Sequence, residues 1–306
     1  MSPYLTLALG VLSAGIGGEL FVRGTVSLAT WARVAPGIVG ATVAAFATSS
    51  PELSVSITSA LAGTPQIALG DALGSNVVNI ALILALALLI SGIQSSRDSI
   101  RRDFPVAFLI PVLTVALAAD GELSRLDGVL MLSIFLAWMI ATVIEARRQR
   151  SAAEEVLGAH RLAPALLSAA IGLGFLVGAG LLIVDGARAI AVSFGLSEFI
   201  IGATIVAVGT SVPELATALI SKLRGHDEVG LGTVLGSNIF NGLFIVAVAA
   251  LIHPIVFDAS SVRVALAFGL VAVMLTLPSK SGYIGRGRGV LLLALYVAYV
   301  VAVIRG

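Results

Sequence analysis

The chain has 306 residues, of which 58% are apolar and only 11% charged, with a net charge of +1. Soluble domains carry about 25% charge, so this composition excludes an ordinary globule and points to a polytopic membrane protein. No basic stripe offers a nucleic-acid surface, and the lack of cysteine excludes disulfides, thiolate metal sites and cysteine nucleophiles.

A hydrocarbon core of about 30 Å takes roughly 20 apolar residues per helix. The sequence therefore predicts an all-α fold with ten transmembrane helices. In chain order they cover 4–29, 37–61, 67–91, 104–119 and 128–145, then 164–190, 199–221, 229–252, 263–277 and 289–304. The apolar N-terminus has no basic leader and no cleavage-site pattern, so it reads as the first span. The fourth and ninth spans are short. Residues 147–162, rich in arginine, form the one sizeable linker, a short helix or loop.

Spans two and three carry polar sequences that return, 162 residues later, in spans seven and eight. Gly40-Ala41-Thr42, Thr48-Ser49-Ser50-Pro51-Glu52-Leu53 and Gly74-Ser75-Asn76-Val77-Val78-Asn79 come first. Their copies are Gly202-Ala203-Thr204, Thr210-Ser211-Val212-Pro213-Glu214-Leu215 and Gly236-Ser237-Asn238-Ile239-Phe240-Asn241. A constant offset without gaps marks a duplication. It divides the chain into a first repeat (1–146), a cytoplasmic linker (147–162) and a second repeat (163–306). Five spans per half is an odd number, so the second half enters the membrane from the opposite side, giving two inverted five-helix repeats. With the N-terminus outside, the inner segments hold Arg33, Arg97, Arg101, Arg102, Arg147, Arg148, Arg150, Arg161, Lys222, Arg224, Lys280, Arg286 and Arg288. The outer segments hold only Arg125, Arg263 and Arg305. The positive-inside rule thus places both termini outside a multi-pass plasma-membrane protein.

Ionisable groups inside apolar spans are costly and mark function. Thr48 and Glu52 lie four apart on one helix face, as do Thr210 and Glu214, Ser75 and Asn79, and Ser237 and Asn241. Inversion would bring the two sets together near the midplane. Pro51 and Pro213 would free the carbonyls of Ala47 and Gly209, which survive in a membrane only inside protein or at a cavity. The stretches Gly70–Gly74 and Gly232–Gly236 permit a bend or a close approach. Every candidate ligand is an oxygen, which suits calcium and sodium. His160, His226 and His253 all fall in loops, so no imidazole site for zinc or copper is evident. Two glutamates neutralise one divalent ion, or hold two or three sodium ions with the neutral oxygens. Competition of both loads for one ligand set is a physical basis for antiport. The bland alternative for the pair is two neutral glutamates bonding neighbouring helices.

These motifs, in two copies and in this order, resemble the alpha repeats of the cation/calcium exchanger superfamily, and within it the prokaryotic sodium/calcium exchangers. The resemblance implies that Glu52 and Glu214 are central calcium ligands, with backbone carbonyls from Thr48 and Thr210. It implies that Ser49, Ser75, Ser211 and Ser237 serve sodium and that Asn79 and Asn241 line the centre. The first and sixth helices would slide past the rest, and Gly15, Gly17, Gly18, Gly172, Gly174, Gly178 and Gly180 suit such a surface. Some relatives carry Asp at the position of Asn241; asparagine in both halves argues against potassium dependence.

The function that follows is sodium/calcium antiport, with proton/calcium antiport on the same fold as the alternative. Calcium and sodium are cargo here, no cofactor is implied, and one chain holds a complete site. A channel fits less well, because filters commonly come from rings of subunits, and no enzyme motif is present. Glu19 and Arg23 are expected to pair along one helix. Asp185 occupies the repeat position of Arg23, with Arg188 three residues on, and reads as another structural or helix-end group. Asp71, whose counterpart is Thr233, reads as a vestibule or helix-start residue and not as an ion ligand. Residues 222–228 read as a solvated connection.

Overall fold

A computed structural model describes residues 2–63, 65–152, 162–193, 207–257 and 259–305. Helix α1 (Pro3–Ala32) begins with proline in its first turn, where the missing N–H has no helical partner to lose, and stops at Arg33, whose φ of 58° is left-handed. Helices α2 (Pro36–Thr48) and α3 (Ser50–Leu61) meet at a 46° bend. Then follow α4 (Pro65–Ile90), α5 (Arg97–Leu117) and α6 (Arg125–Ala152). The same order returns in α7 (Leu162–Ser193), α8 (Ala207–Thr210), α9 (Val212–Leu223), α10 (Asp227–Ile252), α11 (Ala259–Thr276) and α12 (Arg286–Arg305). Gly202-Ala203-Thr204, the start of the seventh span and linker residues 153–161 lie outside the described residues.

The molecule is a mostly helical, polytopic membrane protein. Among the described residues, 7 helices are long and apolar enough to cross a bilayer, and the bent α2–α3 pair is a further candidate. In α4 and α10, 78% of the most apolar window is buried, against 17–28% in α1, α6, α7 and α12. Helices α4 and α10 therefore form the centre, and the others turn apolar side chains such as Leu12, Leu126, Ile140 and Leu167 outward, as lipid requires.

Two expectations need correction and a third is narrowed. The fold is not purely helical: β1 (Ile93–Gln94) pairs antiparallel with β4 (Tyr283–Ile284), and β2 (Glu122–Leu123) with β3 (Ile255–Val256). Both pairs join one half of the chain to the other; two-residue strands leave no periodic signal. The fourth helix is not short. It starts at Arg97, capped by Ser96, whose Oγ accepts from Ser99 N at 3.2 Å. Its polar first turns are invisible to a hydropathy count. Lastly, α6 continues to Ala152, so the linker opens as helix.

Small residues set the α1–α7 contact. The two helices run side by side, Gly10 against Ala179 and Ile183, Gly17 against Gly172, and Gly24 against Ala165 and Ala169. A Cβ on Gly17 would sit 2.9 Å from Gly172 O, and one on Gly186 would sit 2.9 Å from Leu7 N. Such backbone approach is how helices associate in lipid, where no hydrophobic force drives them together. Gly18 and Gly180 instead face α9 and α8, while Gly15, Gly174 and Gly178 have nothing within 4 Å. Only part of the expected glycine surface thus meets the rest of the bundle. Gly172→Val places a branched side chain against the Phe21 backbone; overpacking of this kind costs about 1–3 kcal/mol. The variant is expected to melt at lower temperature in detergent, and an unchanged midpoint would show that α1 and α7 part freely.

Several charged groups away from the centre are paired. Glu19 bonds Arg23, as expected, and also accepts a fork from Arg224 at 2.8 Å, ending α9 against α1. Buried Asp103 accepts from Arg102 Nε at 2.8 Å and from Trp138 Nε1 at 3.1 Å. Within the 222–228 connection, Lys222 is not solvated: its Nζ donates to Gly92 O at 2.7 Å and to Asp227 at 2.8 Å. Asp185 is exposed; the Arg188 side chain lies outside the described set.

Candidate cation site

The two prolines break their helices in the same way. Ser49, between α2 and α3, has φ −86° and ψ 10°, and Ser211, before α9, has φ −87° and ψ 11°. A proline two residues later supplies no N–H and crowds the preceding turn, so both halves leave helical geometry at the residue before Ser-Pro-Glu or Val-Pro-Glu. The carbonyl that Pro51 releases, Ala47 O, accepts from Ser50 Oγ at 2.8 Å, so it is satisfied locally. Val212 replaces Ser50 in the second half. There Gly209 O lies against Gly180, where a Cβ would come within 2.9 Å.

The glycine stretches in α4 and α10 do not break their helices. Both helices continue through them and widen one step later, at Val78–Leu84 and Phe240–Ile245, into π-helical turns. Asn79 and Asn241 sit at the start of these turns, which recur at functional sites. Close approach is what the glycines of α10 provide. A Cβ on Gly232 would sit 2.5 Å from Gly37 O, and one on Gly236 would collide with Ala41 O.

These devices go with burial of nine of the ten candidate residues. Glu52, Glu214, Thr48, Ser49, Ser75, Asn79, Ser211, Ser237 and Asn241 are all at most 2% exposed. Thr210, one turn before Glu214, is half-buried. Glu214 Oε1 accepts from Ser49 Oγ and from Ser237 Oγ, each at 3.1 Å. Ser49 belongs to the other half of the chain, so this bond joins the repeats. Thr48 Oγ1 gives its proton to Ala44 O at 3.0 Å. It also lies 3.4 Å from Ser237 Oγ, a contact in which either hydroxyl can donate. The Glu52 and Glu214 carboxylates lie within Coulombic reach of one another.

Two residues that sequence reasoning passed over organise the centre. Asn76 Nδ2 donates to Asn238 O at 3.2 Å, and Asn238 Nδ2 donates to Asn76 O at 3.1 Å. They are repeat partners and bond reciprocally, as groups across a two-fold relation do. Their repeated presence in Gly-Ser-Asn-x-x-Asn was the available signal. This contact also fixes an amide. Asn238 must present Oδ1 to Asn79, so Asn79 donates with Nδ2 at 3.0 Å and its Oδ1 is left over.

A set of buried oxygens then has no hydrogen-bond partner on another residue: Glu52 Oε1 and Oε2, Glu214 Oε2, Ser75 Oγ, Ser211 Oγ, Asn79 Oδ1 and Asn241 Oδ1. Buried polar atoms are normally satisfied; among the described residues these seven are the larger part of twelve such oxygens, the others being on Ser56, Asp71, Asn76, Ser99 and Ser221. Carboxylate, hydroxyl and amide oxygens are the donors hard cations prefer. The set is asymmetric, for Glu214 is held by two hydroxyls and Glu52 by none. An apolar cleft between Pro51, Gly209, Thr210 and Pro213 on one side and Val177, Gly180 and Leu181 of α7 on the other lies beside both breaks.

Fold and site define a helical membrane transporter class with an oxygen-lined centre. A family model described as sodium/calcium exchanger protein matches residues 2–144 and again 164–305. The chain belongs to this family, which consists of exchangers and not enzymes. It is 33% identical to the inner membrane protein YrbG of Escherichia coli over 306 residues, covering 96% of this chain and 94% of that protein. It is 26% identical to the sodium/calcium exchanger MaX1 of Methanosarcina acetivorans, covering 97% of each. Among solved structures, the sodium-calcium exchanger NCX_Mj soaked with sodium and strontium is similar at a TM-score of 0.85 and 31% identity, covering 98% of this chain and 97% of that one.

Proposed function

We propose that the chain is a sodium/calcium antiporter that moves calcium against sodium by alternating access through the buried oxygen site. The observation that carries this reading is the set of seven unpartnered oxygens contributed by both halves. Glu52 and Glu214 take calcium between them, with Thr48 and Thr210 adding backbone carbonyls. Ser49, Ser75, Ser211 and Ser237 serve sodium, and Asn79 and Asn241 line the middle. Both ions need the same carboxylates, so one displaces the other, and an unloaded pair of carboxylates is too costly in low dielectric to cross.

The architecture we infer is ten spans in two inverted repeats, 1–146 and 163–306, joined by a cytoplasmic linker. Support comes from the reciprocal Asn76–Asn238 bonds and from strand pairs that each link the halves. Counting α11 and the α8–α9 segment beside the long helices gives ten. Helices α1 and α7, locked through their glycines, move together past α8 and α9, and the cleft at Pro51 and Pro213 is the route. The basic residues support an orientation with both termini outside; in our reading the chain works in the plasma membrane, as a monomer.

Proton/calcium antiport is the rival, because the same two carboxylates could carry protons. Purified protein in vesicles separates them. Calcium uptake is expected under an outward sodium gradient at equal pH. Uptake under a pH gradient alone, with none under sodium, overturns sodium coupling.

A further inference from the structure

We propose that Ser56 and Asp71 form an outer calcium station, one helical turn beyond the central carboxylates, which loads or releases the ion on one face only. The proposal rests on the transport reading above and adds a residue set to it. Its geometry comes from the antiparallel pair α9–α10, whose register is fixed by Ser237 Oγ on Glu214 at 3.1 Å. The repeat partners of those residues are Glu52 on α3 and Ser75 on α4. One turn further toward the end of α3 and the start of α4 come Ser56 and Asp71. Their own partners in the second half are Ala218 and Thr233.

The halves differ sharply at this level. Ser56 is 0% exposed and its Oγ has no partner, and Asp71 Oδ2 is also buried without one. In the second half Ala218 offers no polar atom, and the Thr233 hydroxyl is spent on Val229 O at 2.9 Å. Asp71 is not a helix-start group, since α4 begins at Pro65 and the helix dipole acts within the first turn. It shares a face with Ser75 and Asn79, four and eight residues on, and lies within Coulombic reach of Glu52. A carboxylate so placed draws a cation toward Glu52. The three carboxylates do not converge on a single ion, for no group of three His, Cys, Asp or Glu side chains placed to hold a metal occurs among the described residues. Asp71 is therefore a separate stage. The start of α4 lies at the β2–β3 end, where Gln66 Nε2 donates to Val256 O at 2.9 Å; the basic residues make that end the outer face.

Calcium flux in oriented vesicles, with calcium varied on each face in turn, tests this. A charged entrance raises ion capture by about tenfold or more. Asp71→Asn is expected to raise the half-saturating calcium on the outer face by about tenfold while the inner-face value stays put. Ser56→Ala should shift the same face by a smaller factor, and Thr233→Val should shift neither. No shift, or equal shifts on both faces, overturns the station. Wild-type protein without sodium-driven uptake would sink the antiport reading instead. In that event equilibrium radiocalcium binding to the purified protein decides: weaker binding in Asp71→Asn and Ser56→Ala supports the station, and isotherms identical to wild type overturn it.

Discussion

Glu52→Gln and Glu214→Gln are each expected to abolish calcium transport while leaving a folded protein. The two should differ in how they fold. Glu214 Oε1 accepts protons from Ser49 and Ser237, and the carbonyl oxygen of glutamine can accept both. Glu52 has two oxygens with no partner on another residue, so removing its charge relieves an unpaired group in low dielectric. Without calcium, Glu52→Gln should melt at or above the wild-type temperature, and Glu214→Gln close to it. Calcium is the sharper probe. A ligand that binds only the folded state at 100 times its Kd stabilises by about 2.7 kcal/mol. Calcium should raise the wild-type midpoint and leave both variants unmoved. Wild-type flux or a full calcium shift in either purified variant would remove that carboxylate from the centre.

Asn238→Leu should cost both stability and transport. The substitution deletes the bond to Asn76 O and takes away the acceptor that holds Asn79 Nδ2. A buried donor left unpaired costs about 1–3 kcal/mol, and Asn79 Oδ1 loses its fixed aim. Asn76→Leu is the matched comparison. It removes the bond to Asn238 O yet leaves Asn76 O to orient Asn238, and through it Asn79. Melting temperature should fall in both variants, while calcium affinity should fall steeply only in Asn238→Leu. Equal affinity losses would show that the pair acts as a structural tie and does not aim the Asn79 oxygen.

Much of the site was legible because its chemistry is written twice. Glu52 and Glu214 stand out as charges in apolar spans, and the repeated threonine, serine and asparagine at helical spacing give the donor type. The proline breaks were legible too, since a missing N–H acts locally. Consequences that depend on a neighbour were not. Ala47 O looked free until Ser50 turned back onto it. The glycines of α10 could have meant a bend, and only the packing of Gly232 and Gly236 on α2 made them contacts. Asp71 read as a vestibule or a helix-start residue because helix boundaries are blurred in an apolar sequence, and the start of α4 at Pro65 removes the second reading.

The sequence by itself determined the membrane class, the duplication, the identity of the paired carboxylates and the all-oxygen character of the centre. These follow from composition, periodicity and residue chemistry along one strand of text. Tertiary structure alone decided which carboxylate is held by hydroxyls, how Asn76 and Asn238 clasp the halves, which oxygen of Asn79 is spare, and where four short strands join. The reason is distance along the chain. Apart from Ser237 on Glu214, those contacts link residues 132 to 191 positions apart, and helix phase says which way a side chain faces but not which helix it will meet.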